Sequence, residues 1–550
     1  MILFGIPASV LLLVSIVLIR RRNRMGLLSG VIAGGLLVAA FWYHQGVSSD
    51  PSDGRAAVRA DGPPRLPKQD LSGGYTGAAS CRECHPNEHA SWHRSFHRSM
   101  TQAVTPETMT APLGDVALES RGRPFRLWRE DDTFWVEMVD PEWDLKQKAL
   151  GHRVAPADGP RVQRQIVMLT GSHHYQTYWI NGTKGNQLWQ VPWVYHFSQK
   201  RWLPVEDTIL NPPSGYRRLT DWNDACIQCH AVRPKPGLDD HGVFDTRVVD
   251  LGIACEACHG PGRNHVDFQK SRPDSIEIEK GHDESIVNSA RLTHDRSSQV
   301  CGQCHGLFAF NKDDFLRSEF AYRPGDDLYE TRGFHDFHDE ATQSQAWLQD
   351  AFWRDGSVRV PGAEYSAIRQ TACFQSGTLS CLSCHSLHEY ESPDDLLTDN
   401  TRSDQACLKC HQTYSEDLSS HTHHASESSG SRCYNCHMPH SSIGLQKGIR
   451  SHQIDIPTAS MTIDHGRPNA CNLCHTDRTL RWTSDHLASW YGHQPVKTSK
   501  FAEENSTAVI MLISGDAVQR AITAWNLGRL ESRNASGDDW QVPLTRGVTC

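Results

Sequence analysis

The sequence lacks the compositional extremes that mark several classes of protein. Its 41 Gly and 28 Pro among 550 residues are close to average usage, which excludes a collagen-like or tail-like chain. Positive charge is not in excess either, because 55 Lys and Arg stand against 64 Asp and Glu, for a net charge of −9. A strongly basic nucleic-acid-binding protein is therefore not expected. At about 100–200 residues per domain, the length allows about two to four domains.

What the sequence has in quantity is Cys and His, with 18 and 31 residues respectively. Sixteen of the cysteines fall in eight copies of Cys-x-x-Cys-His, which we number motifs 1 to 8 in chain order. From this composition about 0.03 chance matches are expected. The motifs are Cys81, Cys84, His85; Cys226, Cys229, His230; Cys255, Cys258, His259; Cys301, Cys304, His305; Cys381, Cys384, His385; Cys407, Cys410, His411; Cys433, Cys436, His437; and Cys471, Cys474, His475.

The spacing within each motif has a chemical reason. Two thiols three positions apart can add to the two vinyl groups on one edge of a porphyrin, and the adjacent His reaches the iron as its proximal ligand. A disulfide framework needs no His after every second Cys, and zinc ribbons would not need one at every site. The motifs therefore predict eight covalently attached haems c, with zinc or disulfides as the alternatives. Cys373 and Cys550 lie outside the motifs, and we expect a buried thiol and a terminal residue.

Two apolar runs near the N-terminus, residues 2–19 and 25–43, are each just long enough to span a bilayer. Four arginines between them favour a cytoplasmic connection, which predicts an anchor in the cytoplasmic membrane and a haem region in the periplasm, outside the cytoplasm. Translation from Met25 is the alternative, with a single anchor or a signal peptide cut after Ala40. Either reading places the motifs where covalent haem attachment takes place.

The chain divides by composition and motif density into six segments. Seven motifs between residues 226 and 475 are too dense for separate hydrophobic cores, so the porphyrins themselves are expected to form the core. The strand-like segments FRLW, TFWVEMV, YQTYWI and QLWQVPWVY predict a β subdomain. We predict a membrane anchor (1–45), a flexible linker (46–75), a first haem-binding segment (76–121), an antiparallel β subdomain (122–210), a seven-haem domain (211–495) and a short helical tail with an irregular end (496–550). The predicted fold class is a mainly α and irregular multihaem cytochrome c fold around stacked haems, with a small antiparallel β subdomain and N-terminal transmembrane segments.

A sixth iron ligand can be sought among the 23 histidines outside the motifs. Bis-His ligation is expected for most sites, since His is so abundant, and such an iron passes electrons without an open position for substrate. His89, His93 and His97 share one helix face after motif 1. The distal candidates are His97, His265, His388, His424 with its neighbours His421 and His423, His440 and His452. Met438 is an alternative ligand.

Three segments carry a resemblance to a known family: CRECHPNEHASWHRSFH, CEACHGPGRNH, and the closely spaced CLSCHSLH, CLKCH and CYNCHMPH. Over residues 75–495 the chain resembles the multihaem c-type cytochromes that include hydroxylamine oxidoreductase and its tetrahaem acceptor cytochrome. The resemblance implies that His97 and His265 are distal ligands to haems other than their own. The chain lacks Cys-x-x-Cys-Lys, the mark of the catalytic haem of ammonia-forming nitrite reductase, and nothing in the sequence shows that Tyr491 crosslinks a haem.

Two functions remain open. The favoured one is a membrane-anchored octahaem electron carrier that exchanges electrons with redox partner proteins or a quinol-linked donor. The alternative is an oxidoreductase that acts on a small nitrogen or sulfur compound, such as nitrite, hydroxylamine or tetrathionate, at one open haem. That reaction would need cationic or proton-donating side chains beside the iron. The candidates for this role are Arg263, Lys409, His173, His174 and Tyr175, and no catalytic residue is assigned from sequence.

Overall fold

The computed structural model describes residues 57–60, 62–151, 158–208, 220–272, 283–309, 312–318, 322–444 and 446–536. The described residues from Val58 onward form one unit.

The strands concentrate in the first third of the described chain. Their bounds are β1 (Val58–Ala60), β2 (Lys68–Gln69), β3 (Thr101–Ala103), β4 (Asp115–Ser120), β5 (Arg123–Glu130), β6 (Thr133–Val139), β7 (Arg161–Thr170), β8 (Tyr175–Asn181), β9 (Leu188–His196), β10 (Arg201–Pro204), β11 (Arg247–Val248), β12 (Phe308–Ala309), β13 (Gly333–Phe334), β14 (Ser442–Gly444) and β15 (Lys447–Ile449).

The helices are mostly short, and many coincide with the motifs or flank them. Their bounds are α1 (Pro86–Arg94), α2 (Phe96–Ser99), α3 (Pro141–Ala149), α4 (Ile227–His230), α5 (Cys255–His259), α6 (Arg263–Ser271), α7 (His294–Gly302), α8 (Lys312–Arg317), α9 (Glu340–Gln343), α10 (Ala346–Gln349), α11 (Glu364–Ile368), α12 (Ala372–Gln375), α13 (Gln405–Leu408), α14 (Leu418–Thr422), α15 (Cys433–His437), α16 (Ser460–His465), α17 (Ala470–Cys474), α18 (Leu480–Tyr491), α19 (Lys500–Glu504), α20 (Thr507–Ser514), α21 (Ala517–Leu527) and α22 (Leu530–Ser536).

A nine-stranded sheet is organised around β7. The main path runs β10-β9-β8-β7-β6-β5-β4, and its successive strands pair antiparallel. The first half of β7 pairs with β6 and, in parallel, with β1, whereas its second half pairs with β8 and with β3. The register shifts between Ile166 and Met168, where these two halves meet. A bulge at this point bends the strand, which lets one strand serve two sets of neighbours.

The sheet buries apolar side chains in two clusters. Leu127, Val136 and Ile166 belong to the larger cluster, and each is fully buried. Met168 and Trp179 belong to the second cluster, which also includes the residues that introduce and occupy motif 2, Trp222 and Ile227. The sheet core is therefore continuous with the apolar side chains at motif 2.

The predicted fold class was wrong about the size of the β part. Four predicted strand segments coincide with β5, β6, β8 and β9, but the sheet has nine strands rather than a small subdomain. The sequence pattern missed β7 for two reasons. Its first half, Arg161 to Gln165, has a single apolar residue, and its second half, Ile166 to Leu169, is apolar without alternation. The short strands β1 and β3 carry too few residues to show any period.

The prediction of transmembrane segments, and with it of a cytoplasmic-membrane location, is corrected. Across the ranges that the structure describes, no helix is both long and apolar enough to cross a bilayer. The two apolar runs behind the prediction, residues 2–19 and 25–43, lie outside those ranges.

The sheet should depend on a buried ion pair between β5 and α3. Asp144 is 2% exposed, and its two carboxylate oxygens lie 3.0 Å from Arg123 Nη2 and 2.9 Å from Lys148 Nζ. We expect Asp144→Ala to lower the free energy of unfolding by about 3–5 kcal/mol, because it leaves buried cations without their carboxylate. Denaturant unfolding followed by tryptophan fluorescence measures this change. Asp115→Ala, which breaks an exposed ion pair with Arg126, is the control and should leave the midpoint nearly unchanged. Equal effects of the two substitutions would contradict the prediction.

Candidate haem-binding sites

Six of the eight motif histidines face a second imidazole ring across a nearly constant gap. Their ring centres are 5.9 to 6.3 Å apart. The pairs are His85 with His265, His305 with His97, His259 with His388, His385 with His452, His437 with His421, and His475 with His424.

This gap suits one iron ion between two imidazoles. Metal–nitrogen bonds to His are about 2 Å long, and each ring centre lies about 1 Å behind its nitrogen, so two axial ligands have ring centres about 6 Å apart. Rings that pack directly come closer, as His173 and His174 do at 3.7 Å. The ring planes differ by 2° to 27° in five of the pairs and by 55° between His97 and His305. The residues present therefore fit axial ligation of a haem that the Cys-x-x-Cys-His spacing anchors.

His89 and His93 show that the gap alone is not diagnostic. Their ring centres are 6.0 Å apart, but both rings belong to one face of α1, and neither follows a Cys pair. The six pairs differ because each joins a motif His to a His that lies outside the helix or turn of that motif.

In every pair at least one ring is oriented by a hydrogen bond at Nδ1. Where the acceptor is a carbonyl, Nδ1 must carry the proton, and Nε2 presents its lone pair to the partner ring. The Nδ1 distances are 2.8 Å for His259 to Val287 O, 2.9 Å for His385 to Asp395 O, 2.6 Å for His424 to Thr422 O, 2.7 Å for His437 to Asp455 O, 2.7 Å for His265 to Asp283 Oδ2 and 2.9 Å for His305 to Glu364 Oε2.

Burial and hydrogen bonding set the protonation of these rings. Burial lowers the pKa of His97 and of His230 to about 4, which keeps both imidazoles neutral, the form that binds iron. Burial also disfavours protonation of His305, but the hydrogen bond to Glu364 outweighs it and raises the pKa of His305 to about 9. His305 is thus a motif histidine with a carboxylate at Nδ1, and it has to release the proton on Nε2 when it binds iron.

Close backbone packing positions His97. The Ile253 N–H donates to the His97 carbonyl at 2.9 Å, and the Gly252 N–H donates to the His230 carbonyl at 3.1 Å. Gly252 has a φ of +73°, and a Cβ on it would lie 2.4 Å from the Arg98 carbonyl oxygen. One glycine therefore connects the ligand that faces motif 4 with the backbone of motif 2.

Two motif histidines, His230 and His411, have no such partner among the residues that the structure describes. The candidate His440 does not fill either position, since its ring tilts against Trp525 at 5.1 Å. His423 likewise stacks on Trp490 at 4.2 Å rather than on a motif His. The structure thus places His97, His265, His388, His424 and His452 opposite motif histidines, together with His421, and leaves His440 apart.

The cysteines of different motifs lie against one another. Side chains interact directly between Cys81 and Cys255, Cys229 and Cys304, Cys301 and Cys381, and Cys407 and Cys433. Electrostatic interactions join Cys258 to Cys304, Cys384 to Cys407, and Cys436 to Cys474. Side-chain interactions thus join motif 1 to motif 3, motif 4 to motif 5 and motif 6 to motif 7, and electrostatic interactions join motif 3 to motif 4, motif 5 to motif 6 and motif 7 to motif 8. Motif 2 joins as a branch at motif 4.

The side chains considered for catalysis have other contacts. Arg263 donates to the Tyr75 carbonyl at 3.2 Å, and His173 lies 3.3 Å from Asp394 and stacks on Phe96. The sequence did not single out Glu364 or Asp283, because a carboxylate that orients a ligand belongs to no motif. Cys373, predicted to be buried, is only partly buried.

The similarities of this chain are to solved structures and not to a protein family. No family model matches the chain, and no curated protein matches it. The solved structure of an outer cell wall cytochrome, OcwA, is similar with 15% identity and a TM-score of 0.48, covering 86% of this chain and 98% of that one. The octahaem sulfite reductase MccA of Wolinella succinogenes is similar with 14% identity and a TM-score of 0.31, covering 72% of this chain and 60% of that one. Both TM-scores are low, so the description of the chain as a multihaem c-type cytochrome rests on its motifs and histidine pairs.

Gly252→Ala should disturb His97 and motif 2 together. The added Cβ would collide with the Arg98 carbonyl, and a φ of +73° is strained for Ala. We expect a reduced yield of protein with a full haem complement and loss of one low-spin ferric signal, measured by haem assay and electron paramagnetic resonance. Gly114→Ala is the matched control, because a Cβ there meets no atom within 4 Å. A variant at Gly252 that keeps the full low-spin signal would refute this role.

Proposed function

We propose that the protein is a multihaem electron-transfer cytochrome that carries electrons among eight covalently bound haems c. The observation that carries the proposal is the series of side-chain and electrostatic interactions that joins the cysteines of one motif to those of the next. Each haem iron, when bound, supplies a one-electron Fe(III)/Fe(II) couple. This proximity favours transfer because electron tunnelling depends steeply on the distance between cofactor edges, and these cysteines would hold the edges.

The histidine pairs serve the same function. A second imidazole opposite the motif His would hold a bound haem iron from the other side, which would exclude small molecules and limit the change in coordination on reduction. Six of the eight motifs have such a partner in the described chain, so most of the haem sites are suited to electron transfer. The haems would exchange electrons with redox partner proteins or with a quinol-linked donor.

A second candidate function, reduction or oxidation of a small nitrogen or sulfur compound, is favoured by one observation. Among the described residues no imidazole ring faces His230 or His411. An iron with one protein ligand at either motif could bind such a compound. Motif 2 is the better candidate, because its His230 is neutral and buried and its Cys229 contacts Cys304 of motif 4, which would supply electrons.

The spectrum of the resting ferric protein tests both proposals. We expect eight haems per chain by pyridine haemochrome assay and a low-spin majority of six, with any high-spin signal confined to at most two haems. A high-spin signal that shifts on addition of nitrite or sulfite would favour the second candidate. Fewer haems than motifs, or a high-spin majority, would contradict the proposed carrier.

Substitution of one distal His should convert a single haem. We expect His424→Ala to change one of the eight haems from low-spin to high-spin, because the imidazole facing His475 is removed. His423→Ala is the control, since its ring stacks on Trp490 in the same segment. Magnetic circular dichroism quantifies the two spin states. Conversion in the control, or none in His424→Ala, would show that His424 is not the ligand.

A further inference from the structure

We infer that Glu364 holds the haem of motif 4 at the most negative reduction potential of the network, so that the junction between its arms is the last centre to be reduced. The inference rests on the proposed function, since it concerns the iron that His305 and His97 would bind.

Several hydrogen bonds hold the Glu364 carboxylate beside the His305 imidazole. Its Oε2 lies 2.9 Å from His305 Nδ1, and its Oε1 accepts from the Gly362 N–H at 3.0 Å. The Tyr365 N–H donates to the His305 carbonyl at 2.8 Å, and the Leu307 N–H donates to Ser366 Oγ at 2.9 Å. The first turn of α11 is therefore bound to the segment that follows motif 4, and the carboxylate has little freedom to leave the imidazole.

The group that accepts the hydrogen bond from the Nδ1 of a ligand His influences the reduction potential of the iron. A carboxylate at Nδ1 makes an imidazole a stronger donor to the metal than a carbonyl does, and its negative charge favours ferric over ferrous iron. Four of the six pairs are oriented through backbone carbonyls: those of His259, His385, His424 and His437. Only the pairs of His305 and His265 have a carboxylate acceptor within the described residues.

The two carboxylates are not equivalent. Asp283 also accepts from Gln269 Nε2 at 2.6 Å, from the Ser285 N–H at 2.8 Å and from Ser285 Oγ, so its charge is shared among several donors. Besides His305, the donors to the Glu364 carboxylate in the described chain are the Gly362 N–H and the N–H of Glu364 itself, and no side chain other than His305 donates to it. More of the charge of Glu364 therefore remains directed at the imidazole, and motif 4 should be affected more than motif 1.

A nearby cation does not cancel this effect by a direct contact. Glu364, Arg450 and His452 line one cavity, but the guanidinium of Arg450 donates to the carbonyls of Tyr434 at 2.6 Å and Met438 at 2.8 Å. His452 faces His385 of motif 5. Glu364 thus lies between the ligands of motifs 4 and 5 and bonds only to that of motif 4.

The position of motif 4 gives this tuning a role. Its cysteines interact with those of motifs 2, 3 and 5, so it is the one junction of the series. A junction of low potential separates the arm of motifs 1 and 3 from the arm of motifs 5 to 8 by an uphill step. Each arm can then fill with electrons before they exchange with the other.

A redox titration of the full-length holoprotein, followed by visible absorption, tests the inference. We expect Glu364→Gln to shift the most negative component, worth one eighth of the haem absorbance, to a higher potential. Asp283→Asn should shift a different component by less. The control is Glu130→Gln, the same substitution at an exposed ion pair in the sheet, and it should leave the titration unchanged.

The outcomes separate the inference from the proposed function. A Glu364→Gln protein with eight low-spin haems and an unchanged titration would overturn the inference. If that variant yields no holoprotein, Glu364→Asp withdraws the carboxylate by one methylene, and an unchanged most negative component would overturn the inference equally. Failure of the proposed function would be seen in the wild-type protein, as missing haem or as haems that do not exchange electrons.

Discussion

The pairing of a motif His with a second His, at the spacing of two ligands to one iron, is the constraint on which the rest of this structure depends. Most helices in the haem-binding region have four to six residues, too short to be stable alone. The pairs of His305 with His97 and of His259 with His388 connect segments more than a hundred residues apart. Each iron would therefore act as a cross-link as well as a redox centre, and segments with little regular structure would be held by coordination rather than by apolar packing.

The sheet is stabilised by apolar packing and needs no cofactor in its core. It carries no motif, and it buries its own aromatic and aliphatic side chains in an ordinary core. Its second cluster extends through Trp222 and Ile227 into motif 2, so the conventional core and the cofactor-dependent region are joined at the motif that branches from motif 4. The protein thus combines two modes of stabilisation, and the boundary between them coincides with the branch of the network.

Sites defined by local sequence could be predicted, whereas sites formed by tertiary structure could not. The eight motifs could be predicted because a porphyrin requires Cys, Cys and His at fixed spacing. The strands β5, β6, β8 and β9 could also be predicted from their local sequence, whereas β7 could not, because its first half is mostly polar and its second half is apolar without alternation. The histidine partners form a pool that the sequence can name but not pair, since the pairing of His97 with His305 is made by the fold. Glu364 could not be found at all, because its role consists of a hydrogen bond to a residue 59 positions away.

The contacts between cysteines have a consequence for the biogenesis of the chain. Cys81 with Cys255, and Cys301 with Cys381, bring free thiols together whenever the chain folds before its cofactors are attached. In an oxidising compartment such neighbours form disulfides, and a thiol consumed in this way can no longer add to a vinyl group. The same closeness that suits electron exchange in the finished protein therefore makes the empty chain prone to a dead-end oxidation. If the chain matures in such a compartment, haem attachment has to precede the folding that brings these thiols together.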